Sequence, residues 1–380
     1  MSSPTSKGGL KSSDITKSFI WSLVERNLVP DFLVRFGIRY LLRSLVKSQD
    51  SIPLSLQIEN KAAYVKDLKE RPLAENTIDA NKQHYEVPVE FFEHVMGHWK
   101  KYSAGLWPEF GPTQALIPLV NVTGTNPASK YALCTLDDSE AAALKLVCAR
   151  ARLQDLSPGS RVLDMGCGWG SFSLYCATNF PQLKIISVSN SATQKEYIVG
   201  ECVKRGLRNV EVITADINVF DGGLRGFDRV VSIEMMEHVK NYDLLLSRVS
   251  SWMRPGGLLF VHIFTHKHTP FHYTDGWMAE KFFTGGQMPS DDLLLFFQKD
   301  LHIVDRWIQL GSHYERTLNE WLQKMDSKKN VVMPVLEKTY GKDQALLWYV
   351  NWRIFFMSCA ELFGFNHGTE WVISHYLFEK

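Results

Sequence analysis

From Arg161 onward, short runs of apolar and β-branched residues alternate with amphipathic stretches long enough to be helices. The runs are RVLDM, LKIISVS, VEVITA, FDRVVSI and GGLLFVHIF, and two later ones, HIVDRWIQL and WVISHYLFE, bring the count to seven. Strands spaced by helices in this way imply right-handed βαβ units and a mostly parallel sheet covered on both faces. The pattern predicts an α/β fold, a Rossmann-like seven-stranded sheet with a helical N-terminal region and helical insertions placed to act as a lid.

Upstream, Phe19, Leu23, Phe32, Phe36, Tyr40 and Leu45 recur near helical spacing, predicting two helical segments over 18–48 that split near Pro30. Residues 50–80 read as helix plus linker. Arg35, Arg39, Arg43 and Lys47 fall four apart. That stripe reads as a solvated face or a partner for carboxylates ahead of a seat on an anionic membrane surface. Residues 108–131 form a long loop with prolines and glycines, either disordered or a flap near a pocket. The expected division is a disordered 1–17, a helical region over 18–135 and a Rossmann-like core over 136–265. A lid insertion over 266–300 follows, and 301–380 completes the sheet and adds a C-terminal helical insertion.

Composition narrows the possibilities. At 380 residues and 45% hydrophobic, the chain can bury a large core. Lys+Arg 42 against Asp+Glu 41 gives a nearly neutral field, which argues against nucleic acid as the partner. The six cysteines lack CxxC spacing, so no metal site and no disulfide framework is expected. No apolar stretch approaches the roughly 20 residues of a bilayer span, and the start has no secretory core, so a cytoplasmic chain is expected.

The first strand ends in LDMGCGWGS, with Asp164 followed by glycines at 166, 168 and 170. At a sheet's switch point such a turn lets a ligand lie against bare main chain. A dinucleotide site prefers G-x-G-x-x-G, and a carboxylate at this place disfavours phosphate. Asp164 suits the ammonium of S-adenosyl-L-methionine (SAM), directly or through water; a nucleotide-dependent oxidoreductase and a merely structural turn are the alternatives. The second strand ends in Ser189-Asn190 with Gln194 beyond, polar neutral groups for a ribose. Asp216 and Ile217 follow the third strand, a carboxylate for the adenine amino group and a side chain to pack on the ring. Helix and turn capping is the competing reading of Ser189, Asn190 and Asp216.

Several motifs together, HYEVPVEFF, KYSAGLW, TLDDSE, LDMGCGWGS, SNSATQKEYI, IEMMEHVKNY and SHYLFEK, make most of the chain resemble the coclaurine N-methyltransferase-like class I SAM-dependent methyltransferases, relatives of cyclopropane fatty acid synthases. The resemblance implies that Tyr102 and Ser103 touch the methionine end of SAM, Gly166 and Gly168 cradle it, Ser189 and Gln194 hold the ribose and Ile217 the adenine. It also singles out Tyr85 and Trp352 as walls of the acceptor pocket.

After the fourth strand comes Glu234-Met235-Met236-Glu237-His238. Spacings of three and four put both carboxylates and the imidazole on one face if the run is helical. Methyl transfer needs an unprotonated nucleophile held in place, and an amine is mostly protonated at pH 7. His238 is therefore expected as base or proton relay, Glu237 as the group that anchors the ammonium, and Glu234 as an accessory carboxylate; the resemblance makes this the catalytic run. The expected partner is a small amine.

Two other functions remain. One is methyl transfer to a lipid alkene, where relatives hold a bicarbonate. Of its ligands the chain keeps Glu237 and His262, but has Ala104 for a cysteine and Phe355 and Phe356 where a tyrosine falls. The other is a SAM-binding protein without catalysis. The sequence sets no oligomeric state, a homodimer being one option.

Overall fold

The computed structural model describes residues 21–75, 87–110, 134–221, 226–274 and 276–380. Its centre is a seven-stranded sheet: β1 (Arg161–Met165), β2 (Lys184–Ser189), β3 (Val210–Thr214), β4 (Phe227–Ile233), β5 (Met253–His266), β8 (His302–Gln309) and β9 (Trp371–Glu379). The strand order is β3-β2-β1-β4-β5-β9-β8. The pairs among β1 to β5 are parallel, whereas β9 runs antiparallel between β5 and β8. The inner strands are apolar on both faces because helices cover both. Since β1 pairs with β2 on one side and β4 on the other, the switch point lies at the tips of β1 and β4.

Helices α1 (Asp31–Asp50) and α2 (Leu54–Glu70) each follow a proline, Pro30 and Pro53, which cannot donate into the first turn. Arg35 and Arg39 of α1 pair with Glu361 at 2.9 and 3.0 Å, so half of the basic stripe serves a carboxylate. α3 (Val89–Val95) precedes a loop whose Gly97 and Trp99 amides donate to Glu140 of α4 (Leu136–Arg150) at 2.9 and 2.8 Å. A Thr135/Asp138 capping box starts α4. Thus α4 fixes the loop that carries Tyr102 and Ser103.

The sheet is wrapped by α5 (Ser171–Asn179), α6 (Ala192–Arg205) and α7 (Tyr242–Trp252). Between β8 and β9 the chain inserts α9 (Ser312–Ser327), α10 (Lys329–Tyr340) and α11 (Lys342–Phe363). These pack with α1 and α3 around an aromatic core of Phe91, Phe92, Trp321, Trp352 and Phe356. The 266–300 stretch departs from its expected helical form. Its described residues form mainly turns, a short ladder of β6 (Phe271–His272) with β7 (Gln287–Met288), the five-residue helix α8 (Trp277–Lys281) and a 3₁₀ turn over Leu293–Phe296. Aromatic content here reflects packing onto the core and not helical periodicity. Among the described residues no helix is long and apolar enough to cross a membrane.

Candidate active site

At the tips of β1 and β4 the glycine turn is as bare as its sequence requires. Gly166, Gly168 and Gly170 have φ of +84°, +52° and +77°, a region unfavourable to residues with a Cβ. Their surroundings differ. A Cβ on Gly166 would meet Met235 at 2.7 Å and one on Gly170 would meet Ile198 at 2.7 Å, whereas one on Gly168 would meet nothing within 4 Å. Gly166 and Gly168 border two adjoining cavities; Gly170 borders neither and instead opens α5. Gly170, expected at the cofactor, is therefore a turn residue set by helix–helix packing.

The first of these cavities is walled by Ser189, Asn190 and Gln194 on one side and by Asp216, Ile217, Met235 and His238 on the other. The second is walled by Tyr102, Ser103, Asp164, Gln194 and Glu234. Ser189 Oγ donates to Gln194 Oε1 at 2.5 Å, which turns the Gln194 amide so that its buried Nε2 has no protein acceptor among the described residues. An orphaned donor beside exposed main chain fits a polar ligand lying across both cavities. Asp164 accepts from Ser173 Oγ at 2.5 Å, and burial lifts its carboxyl to about 7 against that bond. Asp216 keeps the turn role as well, accepting from the Asn218 amide at 2.8 Å. Ser103 borders the cavity while its hydroxyl receives the buried Lys101 ammonium, which also donates to Ala104 O at 2.7 Å.

A third cavity, of about 300 Å³, lies between the glycine turn and the helical insertion. Its walls are predominantly aromatic and aliphatic, from α1, the 266–300 stretch, α9 and α11. Tyr273, Trp277, Phe283, Tyr314, Trp321 and Phe355 supply rings. The polar exceptions are few: Tyr102, Glu234, His238 and Ser358 among them. Three of these are shared. His238 borders the third cavity and the first, while Tyr102 and Glu234 border the third and the second. The three cavities therefore meet at Glu234, His238 and Tyr102.

The run after β4 is not the helical turn its spacing suggests. Glu234 has φ +48°, in the left-handed region, and only Met236–His238 form a 3₁₀ turn. The reversal at Glu234 separates the two carboxylates. Glu234 stays at the cavity wall, its Oε2 accepting from Tyr314 Oη at 2.7 Å and its Oε1 lying 3.2 Å from His262 Nε2. A strained backbone here, pinned by the Glu234 amide donating to His262 O at 2.9 Å, is the sort of cost concentrated at working sites. Glu237 turns inward, fully buried, accepts from the Phe264 amide at 3.0 Å and borders none of the three cavities. Burial, and then Glu234, raises its carboxyl well above the ordinary range, toward the neutral form. His238 stacks on Phe283 with ring centroids 5.9 Å apart. Burial pushes it down to about 4, with Lys240 acting in the same sense and Glu234 opposing, which leaves a neutral imidazole at pH 7.

Other expected positions shift too. Of the acceptor-pocket residues, Phe355 borders the third cavity. Trp352 and Phe356 do not; they sit in the aromatic core behind it, because α11 turns successive residues to different sides. His262 lies behind Glu234, both ring nitrogens engaged, and Tyr85 falls outside the described residues. The sequence reading missed Tyr314 and the α1 residues Ile38, Leu41 and Leu42, which border the third cavity, and Glu75 and Lys100, which border the other two. No local motif marks any of them; only the fold brings them in.

The arrangement has relatives. A family profile described as mycolic acid cyclopropane synthetase matches residues 74–369. The (S)-coclaurine N-methyltransferase of Thalictrum flavum subsp. glaucum is 34% identical over 365 residues, covering 94% of each chain. That of Papaver somniferum is 35% identical over 368 residues, covering 94% of this chain and 96% of the relative. A crystal structure of coclaurine N-methyltransferase bound to N-methylheliamine and SAH superposes with a TM-score of 0.85 at 32% identity, covering 96% of this chain and 100% of that one. With both sequence and fold matched over nearly its whole length, the chain belongs to the coclaurine N-methyltransferase-like SAM-dependent methyltransferases, within the mycolic acid cyclopropane synthetase family.

Proposed function

We propose that the protein transfers a methyl group from SAM to the nitrogen of a small aromatic amine held in the third cavity. The single observation that carries this reading is the meeting of all three cavities at Glu234, His238 and Tyr102. SAM, when bound, supplies an electrophilic methyl on a sulfonium. The residues that would hold it are Gly166 and Gly168 through main chain, Asp164 at the ammonium, Ser189, Asn190 and Gln194 at the ribose, and Asp216 and Ile217 at the adenine.

The protein's own work is to bind and deprotonate the amine. An alkylammonium entering an apolar cavity loses hydration and needs a counter-charge. Glu234 supplies it at the wall, in the role first expected of Glu237. Ring faces of Tyr273, Trp277 and Phe283 attract the same cation, at about 0.5 to 2 kcal/mol each. The neutral His238 imidazole then takes the proton, which frees the nitrogen lone pair.

Two predictions follow from these roles. Glu234→Gln removes the counter-charge and should lower kcat/KM for the amine by about 100-fold, on the scale of a lost buried charge pair. Glu237→Gln puts an isostere in place of a carboxyl that borders none of the cavities and that burial pushes toward its neutral form, and should cost less than about tenfold. Steady-state kinetics on the two variants separate the carboxylates, and a larger loss in Glu237→Gln would reverse the assignment. Proton occupancy of Asp164 gives the other prediction. The ammonium of SAM pairs with the carboxylate form, and below about pH 7 protons compete for it. SAM affinity by calorimetry should therefore fall about fivefold from pH 7 to 6 and approach tenfold per unit lower down. A flat profile between pH 8 and 6 contradicts a direct Asp164 contact.

Transfer to a lipid alkene is the competing reaction. It fits this site less well because both ring nitrogens of His262 are engaged, Ala104 offers no ligand atom and Phe355 presents a hydrocarbon ring. Incubation with methyl-labelled SAM, a panel of aromatic and aliphatic amines and anionic liposomes tests the choice. Label in an aromatic amine and none in lipid is expected; label in lipid alone overturns it.

A further inference from the structure

A line of side chains crosses the sheet behind Glu234. His375 of β9 is the direct cross-strand neighbour of His262 of β5, which in turn pairs with Ile233, the residue before Glu234. Strand register puts the two imidazoles side by side, and the left-handed turn at Glu234 brings its carboxylate to the end of their row. His375 Nε2 lies 2.8 Å from His262 Nδ1, and His262 Nε2 lies 3.2 Å from Glu234 Oε1. At the far end Arg150, on the last turn of α4, places Nη1 2.5 Å from His375 Nδ1.

A guanidinium can only donate. Nδ1 of His375 must accept from it, so the proton of neutral His375 sits on Nε2 and is donated to Nδ1 of His262. His262 then carries its own proton on Nε2, aimed at Glu234. Burial keeps both imidazoles neutral, pushing His262 to about 4 and His375 well below its ordinary value; in His375 the Arg150 charge adds to this. Every hydrogen bond in the row points the same way, from the guanidinium to the carboxylate.

Arg150 is an expensive choice for packing alone. Its Nε and Nη2 are buried without hydrogen-bond partners among the described residues, although the guanidinium lies 4.7 Å from the Trp307 ring. A hydrocarbon side chain would fill the space without the desolvation cost. Burial lowers Arg150 to about 9, Asp305 opposing, which still leaves it charged at pH 7.

We propose that Arg150 and His375 are positioning residues for methyl transfer: together they fix the tautomer of His262 and hold the Glu234 carboxylate in the orientation that receives the amine. The consequence for turnover rests on the amine-methylation reading above, whereas the tautomers do not.

The test is nitrogen-15 NMR of protein labelled at histidine, with the two resonance pairs assigned by their loss in His262→Asn and His375→Asn. Both imidazoles should be neutral at pH 7 and protonated on Nε2. In Arg150→Met, His375 should lose that single tautomer and kcat should fall about tenfold with KM for SAM unchanged, while Arg150→Lys restores most of both. A proton on Nδ1 of either histidine, or an imidazolium at pH 7, overturns the proposal, as does an Arg150→Met protein with wild-type tautomers and kcat. Should Arg150→Met fail to fold, the wild-type spectrum still decides. If no amine is methylated but the tautomers are as stated, the proposed reaction falls and the hydrogen-bond row stands; the reverse result removes only the row.

Discussion

His238→Ala should lower kcat on an aromatic amine by about 10²- to 10⁴-fold, the range for losing a positioned general base, with the dissociation constant for SAM nearly unchanged. The size follows from where the ring sits. Among the described residues His238 is the imidazole that borders both the third cavity and the first, and burial keeps it in the neutral form that a general base needs. Its side chain stacks on Phe283 and forms only part of the wall of the cofactor cavity, so truncation to alanine leaves Gly166, Gly168, Ser189 and Gln194 in place. Small bases such as imidazole, added in solution, should recover part of the lost rate in the vacated space. Unchanged kcat in His238→Ala would remove His238 from the chemistry and leave Glu234 as the acceptor of the proton.

Gly168→Val should weaken SAM binding by at least about 100-fold, with no comparable loss of fold. At φ +52° a β-branched residue is strained by roughly 1 to 3 kcal/mol on backbone grounds alone. A Cβ there would meet no protein atom within 4 Å, and Gly168 borders both of the first two cavities. The protein can relax the strain, but it cannot give back the main-chain surface proposed to hold SAM. Gly170→Val makes the contrast: there the new side chain collides with Ile198, so the damage should appear first in the melting temperature. Calorimetric titration of SAM together with thermal melting resolves the two variants. Near-normal SAM affinity in a folded Gly168→Val protein would contradict a ligand lying on that turn.

Much of this was legible in the chain because strand ends carry local signals. Asp164, Gly166, Gly168, Ser189 and Ile217 stand at or just beyond the ends of consecutive parallel strands, with Gln194 in the helical turn that follows β2, and a doubly wound sheet brings such ends to one edge whatever the loops between them do. The run at 234–238 was marked by its motif, but its geometry was misread. Spacing of three and four makes one face only on a regular helix, and a single left-handed residue, Glu234, turned the second carboxylate into the core. No pattern in the sequence announces a positive φ at a glutamate. The third cavity was the least legible part. Its walls come from α1, the 266–300 stretch, α9 and α11, elements far apart in sequence, and α11 is apolar around much of its circumference. In such a helix periodicity cannot tell Phe355, at the cavity, from Trp352 and Phe356, behind it.

The most direct measurement is a crystal structure of the protein with S-adenosylhomocysteine and an aromatic amine that it methylates. The amine nitrogen should lie in the third cavity within hydrogen-bond reach of Glu234 or His238, facing the sulfur of a cofactor product that spans the two cavities beside Gly166 and Gly168. An amine nitrogen directed away from that sulfur, or a cofactor product bound clear of the glycine turn, would contradict the proposed methyl transfer.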